Sequence, residues 1–161
     1  MGAGKTSVLG EASDILAARG IVHAAVDLDM LGLAHLPSAA PADEVMYRNL
    51  RSVCENYESA GVQRLLLARA IETRSELELC RSAASAAATV VCLLTASVAT
   101  MEQRVRARES GLLQREFVAR VTQLNAIIDA AHLHDFTVAN ENRPLSNVAR
   151  EVLVKAGWIS A

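Results

Sequence analysis

Four short apolar runs, each divided from the next by a longer stretch with helical spacing, constrain this chain more than any other feature. IVHAAV (21–26), RLLLARA (64–70), TVVCLLT (89–95) and FTVA (136–139) read as strands. Between and around them, apolar residues recur every three or four positions. Val8, Ala12, Ile15 and Leu16 form one such set, with Arg19 following the same spacing and Gly20 closing it, and Met46, Leu50, Val53 and Tyr57 form another, closed by Gly61. Residues 74–83 and 98–109 continue the pattern. So do Phe117, Val121, Leu124, Ile128 and Ala131, and finally Val148, Ala149, Val152 and Leu153. Strands that are apolar nearly throughout are buried on both faces. The alternation therefore predicts an α/β fold in three layers, a parallel sheet with helices on each side. A length of 161 residues fits one domain over 1–161. The segment LPSAAPADE (36–44) is expected to be a proline-rich loop.

Composition removes several classes of function. Aromatic residues make up 3% of the chain, too few for stacking platforms that bind single-stranded nucleic acid. The net charge of −2 leaves no basic surface for a duplex, so no nucleic-acid partner is expected. Ser82–Met101 carries no charge and is long enough for a bilayer. Its strongly apolar part is only VVCLLT, the length of a buried strand, so no membrane partner is expected either. The N-terminus has early acidic residues and no apolar core of a signal peptide. Cys54, Cys80 and Cys92 are scattered, without a C-x-x-C pair. Buried thiols in a reducing, cytoplasmic compartment are the expectation.

The first seven residues, MGAGKTS, fit two patterns. Gly4, Lys5 and Thr6 match the end of the phosphate loop G-x-x-x-x-G-K-[ST], whose first glycine would lie before Met1. The same letters satisfy M-G-x-x-x-[ST], an N-myristoylation signal. A helical pattern beginning at once supports the phosphate loop. In that reading the backbone amides of Gly2, Ala3, Gly4 and Ser7 curl around the phosphates of ATP. Lys5 reaches the β- and γ-phosphates, and the Thr6 hydroxyl holds Mg²⁺. Asp27 and Asp29 fall at the C-terminal end of a strand, where parallel sheets bind ligands. Two apart on one strand, they should point the same way. Asp27 suits Mg²⁺, through water, and Asp29 suits accepting a proton from a substrate hydroxyl. Helix-capping or solvated aspartates are the alternative. HLHD (132–135) has no third ligand at metal spacing and reads as a helix-end loop. His23 reads as a packed or edge residue.

With D-x-D at a strand end, then RNLRSV and ENYESAGVQRLLLARAIETRSEL, the chain resembles adenylylsulfate kinase and its small-molecule P-loop kinase relatives, among them the shikimate and gluconate kinases. The resemblance runs from Gly2 to Trp158, with only the phosphate loop highly specific. It implies a P-loop NTPase fold of the nucleoside-monophosphate-kinase type. That fold places a further strand before the loop and inside the sheet, between two others. Met1 would then be internal to a longer loop, and two strand edges would otherwise face each other unpaired. The resemblance places Arg48, Asn49 and Arg51 at the acceptor. QRVRARESG begins a lid over about 103–115, with Arg104 and Arg108 on one helix face closing over ATP. A solvated basic helix with a Glu102–Arg106 pair is the alternative for those arginines. ANENRPL (139–145) would lie along the adenine, with Asn140, Asn142 and Arg143 near the base; a plain turn explains the same letters. Where adenylylsulfate kinases read D-G-D-N-x-x-R this chain reads DLDMLG, which points away from adenylylsulfate as acceptor. The expected function is phosphoryl transfer from Mg²⁺·ATP to a small hydroxylated molecule. Lys5, Asp29, Arg104 and Arg108 would act in catalysis, and a homodimer is left open. Nucleotide binding without transfer, and an ATPase acting on a macromolecule, are the rival expectations.

Overall fold

The structure is a computed structural model; it describes residues 1–160 apart from residue 36 and residues 38–41, and the side chains of residues 42, 112 and 113 are left out of the description. Most of LPSAAPADE therefore lies outside the described residues. The elements follow in the order α1 (Lys5–Ala18), β1 (Ala24–Asp27), α2 (Leu28–Leu31), α3 (Ala42–Ser59), β2 (Leu65–Ala68), α4 (Arg74–Ala83), β3 (Cys92–Thr95), α5 (Val98–Arg108), α6 (Gly111–Ala131), β4 (Phe136–Ala139) and α7 (Leu145–Lys155). The fold is α/β with short parallel strands.

Each strand is only four residues long; β1, β2 and β3 are shorter than their apolar runs suggest, whereas β4 matches FTVA to the residue. Strand β1 begins at Ala24 rather than Ile21, because the chain leaves α1 through a tight stop. There the Gly20 amide donates to Ala17, and the Ile21 amide reaches back to Leu16 at 3.0 Å. A positive φ of 66° at Gly20 makes that reversal possible at little cost. Helix α6 begins at Gly111, six residues before the apolar periodicity at Phe117 becomes legible. Thr73 and Glu76 cap α4 reciprocally, the hydroxyl accepting from the Glu76 amide and the carboxylate accepting from the Thr73 amide.

The strands form two separate parallel pairs, β1–β2 and β3–β4, rather than one sheet. Ala24 pairs with Leu65 in the first and Cys92 with Phe136 in the second. The core falls into three clusters, the first of which touches both strand pairs through Leu66 of β2 and Leu94 of β3. Val8, Ala12 and Leu16 of α1 pack with Val148 and Leu153 of α7 and with Val138 of β4. Val26, Leu28, Met46 and Leu50 form a second cluster. Met101, Val105 and Val121 form a third, where α5 meets α6.

Between β2 and β3 runs an apolar slot of 180 Å³. Among the described residues, neither of the two strand edges facing it has a pairing partner. Leu67 is 37% exposed there, and all four residues of β3 are only half-buried.

Candidate functional site

Residues 2–6 sit where both strand pairs end. The Thr6 hydroxyl donates to Asp27 Oδ2 at 2.6 Å, at the C-terminal end of β1. Asn140, the residue after β4, donates from Nδ2 to the Ala3 carbonyl at 2.8 Å. From α5, Arg104 donates to the Gly2 carbonyl at 3.3 Å and to the Asn140 carbonyl at 2.9 Å. Gly2 and Gly4 have φ of 73° and 87°, left-handed values that favour glycine. Close approach demands them as well. A Cβ on Gly2 would meet Met101 backbone, with Cα at 2.8 Å, and one on Gly4 would overlap Asn140 Nδ2. Gly4 is also the N-cap of α1, with no side-chain cap and no acidic residue in the first turn. The leading amides and the positive end of the helix dipole are therefore left available to an anion.

Lys5 lies beside this opening. Burial pushes its ammonium below the ordinary lysine value, and the Asp29 and Asp27 carboxylates oppose that shift. An anion seated at the N-terminus of α1 would supply the charge that the buried ammonium lacks. Mg²⁺ keeps most of its water and takes one or two carboxylates plus substrate phosphates, rather than an all-protein cage. A hydroxyl and a carboxylate in contact at the edge of an anion site, Thr6 and Asp27, fit that requirement. Among the described residues no group of three or more His, Cys, Asp or Glu is placed to hold a metal.

Asp27 and Asp29 are not on one strand. Strand β1 ends at Asp27, which caps α2, its Oδ1 accepting from the Asp29 amide at 3.1 Å. Asp29 stands in the first turn of α2, so helical geometry rather than strand alternation sets its direction. Its carboxylate pairs with Arg69, Nη1 to Oδ1, at 3.3 Å. Arg69 follows β2 directly and also reaches Asp43 at 3.5 Å. Its side chain is 18% exposed, and its Nε is buried without a partner. Sequence reasoning missed this arginine. The available signal was its position, one residue past an apolar strand at the ligand end of a parallel sheet, the argument that singled out Asp27.

The expected acceptor residues are only partly gathered. Asn49 reaches back from α3 and donates to the Leu31 carbonyl at 2.9 Å, at the end of α2. Arg48 and Arg51 lie on the exposed side of α3, in a shallow depression with Asp43, Glu44 and Tyr47. On α5, Arg104 faces the loop, whereas Arg108 pairs with the adjacent Glu109 at 2.7 Å and is largely exposed. The alternative Glu102–Arg106 pair is present at 3.0 Å. The expected lid over 103–115 spans the end of α5, a short break at 109–110 and the start of α6. After β4, Asn140 is 6% exposed and its amide is committed to the loop. Arg143 pairs with Glu151 of α7 at 2.7 Å, and Asn142 takes a positive φ of 54°. Glu141 braces the same corner. It accepts from the Ser97 amide at 3.0 Å and from the Ser97 and Thr100 hydroxyls, which hold its carboxyl below the usual range.

The remaining candidates have local explanations. His132 ends α6 in a left-handed conformation, and His23 contacts Ser13 and the Ile21 carbonyl. The three cysteines are free; Cys80 is buried, and burial pushes the half-buried Cys92 thiol up to about 11. Residues 82–101 hold the end of α4, β3 and the start of α5. Among the described residues no helix is long and apolar enough to cross a membrane. No protein-family model matches the chain, and no curated protein matches it significantly.

Proposed function

We propose that this chain is a P-loop, kinase-type domain that binds Mg²⁺·ATP on residues 2–7 and transfers its terminal phosphoryl group to a small hydroxylated acceptor. The observation that carries the reading is the Thr6–Asp27 contact of 2.6 Å, beside Lys5 and the uncapped start of α1. These groups come from positions 21 residues apart and would supply part of what a triphosphate–magnesium complex requires. Backbone amides of the loop would take phosphate oxygens, Lys5 would neutralise the β- and γ-phosphates, and Thr6 with Asp27 would hold the ion. Bound Mg²⁺ would neutralise charge developing on the transferred group. Arg104, already against the Gly2 carbonyl, would add positive charge on the same side. Asp29 would orient the acceptor hydroxyl, with Arg69 fixing the Asp29 carboxylate. The chemistry is positioning and charge neutralisation, without a covalent intermediate.

One observation favours a second reading, nucleotide binding without transfer. Asp29 is held in an ion pair with Arg69 rather than standing free to take a proton. Calorimetric titration with Mg²⁺·ATP, followed by ADP release measured against a panel of small alcohols and sugar acids, separates the two. Binding that Lys5→Ala abolishes, with acceptor-stimulated turnover that Asp29→Asn abolishes, supports the kinase. Binding without stimulated turnover supports the second reading, and absence of binding overturns both.

A further inference from the structure

We propose that Ser13 and His23 form a second chemical site, separate from the phosphate loop, in which the Ser13 hydroxyl is an activated nucleophile that takes an acyl group from a small activated ester. Ser13 lies in α1 well past Lys5, about 12 Å further along the helix axis at the usual rise of about 1.5 Å per residue. The inference therefore stands whether or not the loop binds nucleotide.

The geometry is that of a nucleophile, a base and a group that orients the base. Ser13 Oγ and His23 Nε2 stand 2.7 Å apart, and His23 Nδ1 is 2.8 Å from the Ile21 carbonyl oxygen. A carbonyl has no proton to give, so in the neutral ring Nδ1 carries the hydrogen and donates it. Nε2 is then the bare nitrogen, and the Ser13 hydroxyl donates to it. The Ile21 carbonyl thus fixes both the tautomer and the direction of the ring.

Local sequence brings the two side chains together. The chain stops at Gly20, whose φ is 66°, and the Ile21 amide turns back to the Leu16 carbonyl. That reversal carries His23 alongside α1, to a serine ten positions earlier. A serine inside a helix ordinarily returns its hydroxyl to the carbonyl three or four residues before it. Ser13 gives its proton to an imidazole instead.

The site is also accessible. Ser13 and His23 are each half-buried, and Val22 beside them is 59% exposed, an apolar contact for an acyl or aryl group. On either side, the Ile21 and Ala24 amides are taken by the Leu16 and Arg64 carbonyls. The Val22 and His23 amides between them donate to no acceptor among the described residues. Those two N–H groups are the donors available to a developing oxyanion. In the step proposed, Ser13 Oγ bonds to the ester carbonyl carbon while its proton passes to His23 Nε2. The tetrahedral intermediate then collapses, the bond to the leaving oxygen breaks, and the imidazolium returns the proton to that oxygen. The products are O-acyl-Ser13 and the free alcohol.

The full chain treated with 4-nitrophenyl acetate tests this through release of 4-nitrophenolate. Ser13→Ala and His23→Gln, each checked for folding by circular dichroism, should both slow release by about 100-fold or more. Ser75→Ala, at an exposed serine of α4, should leave it unchanged. A rate that survives Ser13→Ala would overturn the proposal, because the imidazole or surface amines would then be the nucleophile. A rate that survives His23→Gln would overturn it too, since the hydroxyl would need no base. In the unaltered chain, a fluorophosphonate should attach to Ser13, with loss of fluoride, as located by peptide mass spectrometry. Labelling of other residues only, or none, would also overturn the proposal. That measurement needs no variant, so it decides the matter even where a substitution prevents folding.

Discussion

Gly4→Ala isolates the geometry on which the phosphate-loop reading stands. Two separate costs arise. Gly4 has φ of 87°, and the left-handed region costs an L-residue with a Cβ roughly 1–2 kcal/mol. The new methyl also overlaps Asn140 Nδ2, so the amide must swing away from the Ala3 carbonyl. Asn140 is 6% exposed, and a buried amide left without its partner costs about 1–3 kcal/mol. The expected loss is therefore about 2–5 kcal/mol in denaturant-unfolding free energy. Asn140→Ala alone should lose the second part only. The double variant should be less destabilised than the sum, by about 1 kcal/mol or more, since the first change already breaks the bond that the second removes. Additivity within roughly 0.5 kcal/mol would mean that Gly4 and Asn140 do not share the contact, and the reasoning would fail. Gly2→Ala should be harsher still, because its obstacle is the Met101 main chain, which cannot rotate away.

Asp27→Asn should keep the fold, judged by circular dichroism, while raising the Mg²⁺ concentration that half-saturates nucleotide binding by about tenfold or more. Arg69→Gln should leave Mg²⁺·ATP affinity unchanged and raise the acceptor KM. Its effect on unfolding should stay within about 1 kcal/mol, since both carboxylate partners are exposed. Glu141 has its folded pKa depressed by Ser97 and Thr100, so it stabilises the fold fully above the ordinary carboxylate pKa of about 4.3 and loses that contribution as pH falls through the depressed value. Glu141→Gln should accordingly flatten the acid limb of the stability profile, as measured by urea unfolding between pH 5 and pH 2 (approximate limits).

How legible each part was in the sequence depended on the range of the interaction. The helices announce themselves through periodicity, and β4 was read to the residue because FTVA is a short apolar run bounded by the polar residues His134, Asp135 and Asn140. Strand edges elsewhere were overread. IVHAAV and TVVCLLT are largely apolar, yet only the last three positions of the first and the last four of the second lie in paired strands, and pairing is invisible to local pattern. The same limit explains Asp29. Two carboxylates at spacing two look coplanar on a strand, but Asp27 caps a helical turn and places its neighbour by helical rules instead. Arg69 went unseen for a third reason: its meaning depends on Asp29 and Asp43, residues 40 and 26 positions away. Asn140 was noticed for an adjacent adenine, whereas its buried amide is spent on the loop carbonyl, a bond that spans 137 positions.

The loop is a seam as well as a site. Thr6 ties it to β1, Asn140 ties it to β4, and Arg104 ties it to α5, so residues 2–6 join two strand pairs that share no ladder. A ligand gripping those residues stabilises contacts on both sides together, whereas apolar packing across the slot is incomplete. If residues 2–7 bind phosphate as proposed, that recognition and the cohesion of the two halves would draw on the same few hydrogen bonds. That shared dependence explains why left-handed glycines, a buried asparagine and a desolvated lysine are concentrated within a handful of positions, although each is unfavourable alone. Removing one of these contacts should loosen the halves relative to each other as well as weaken anion binding, because no other polar link among those described runs from β1 to β4 through so short a segment.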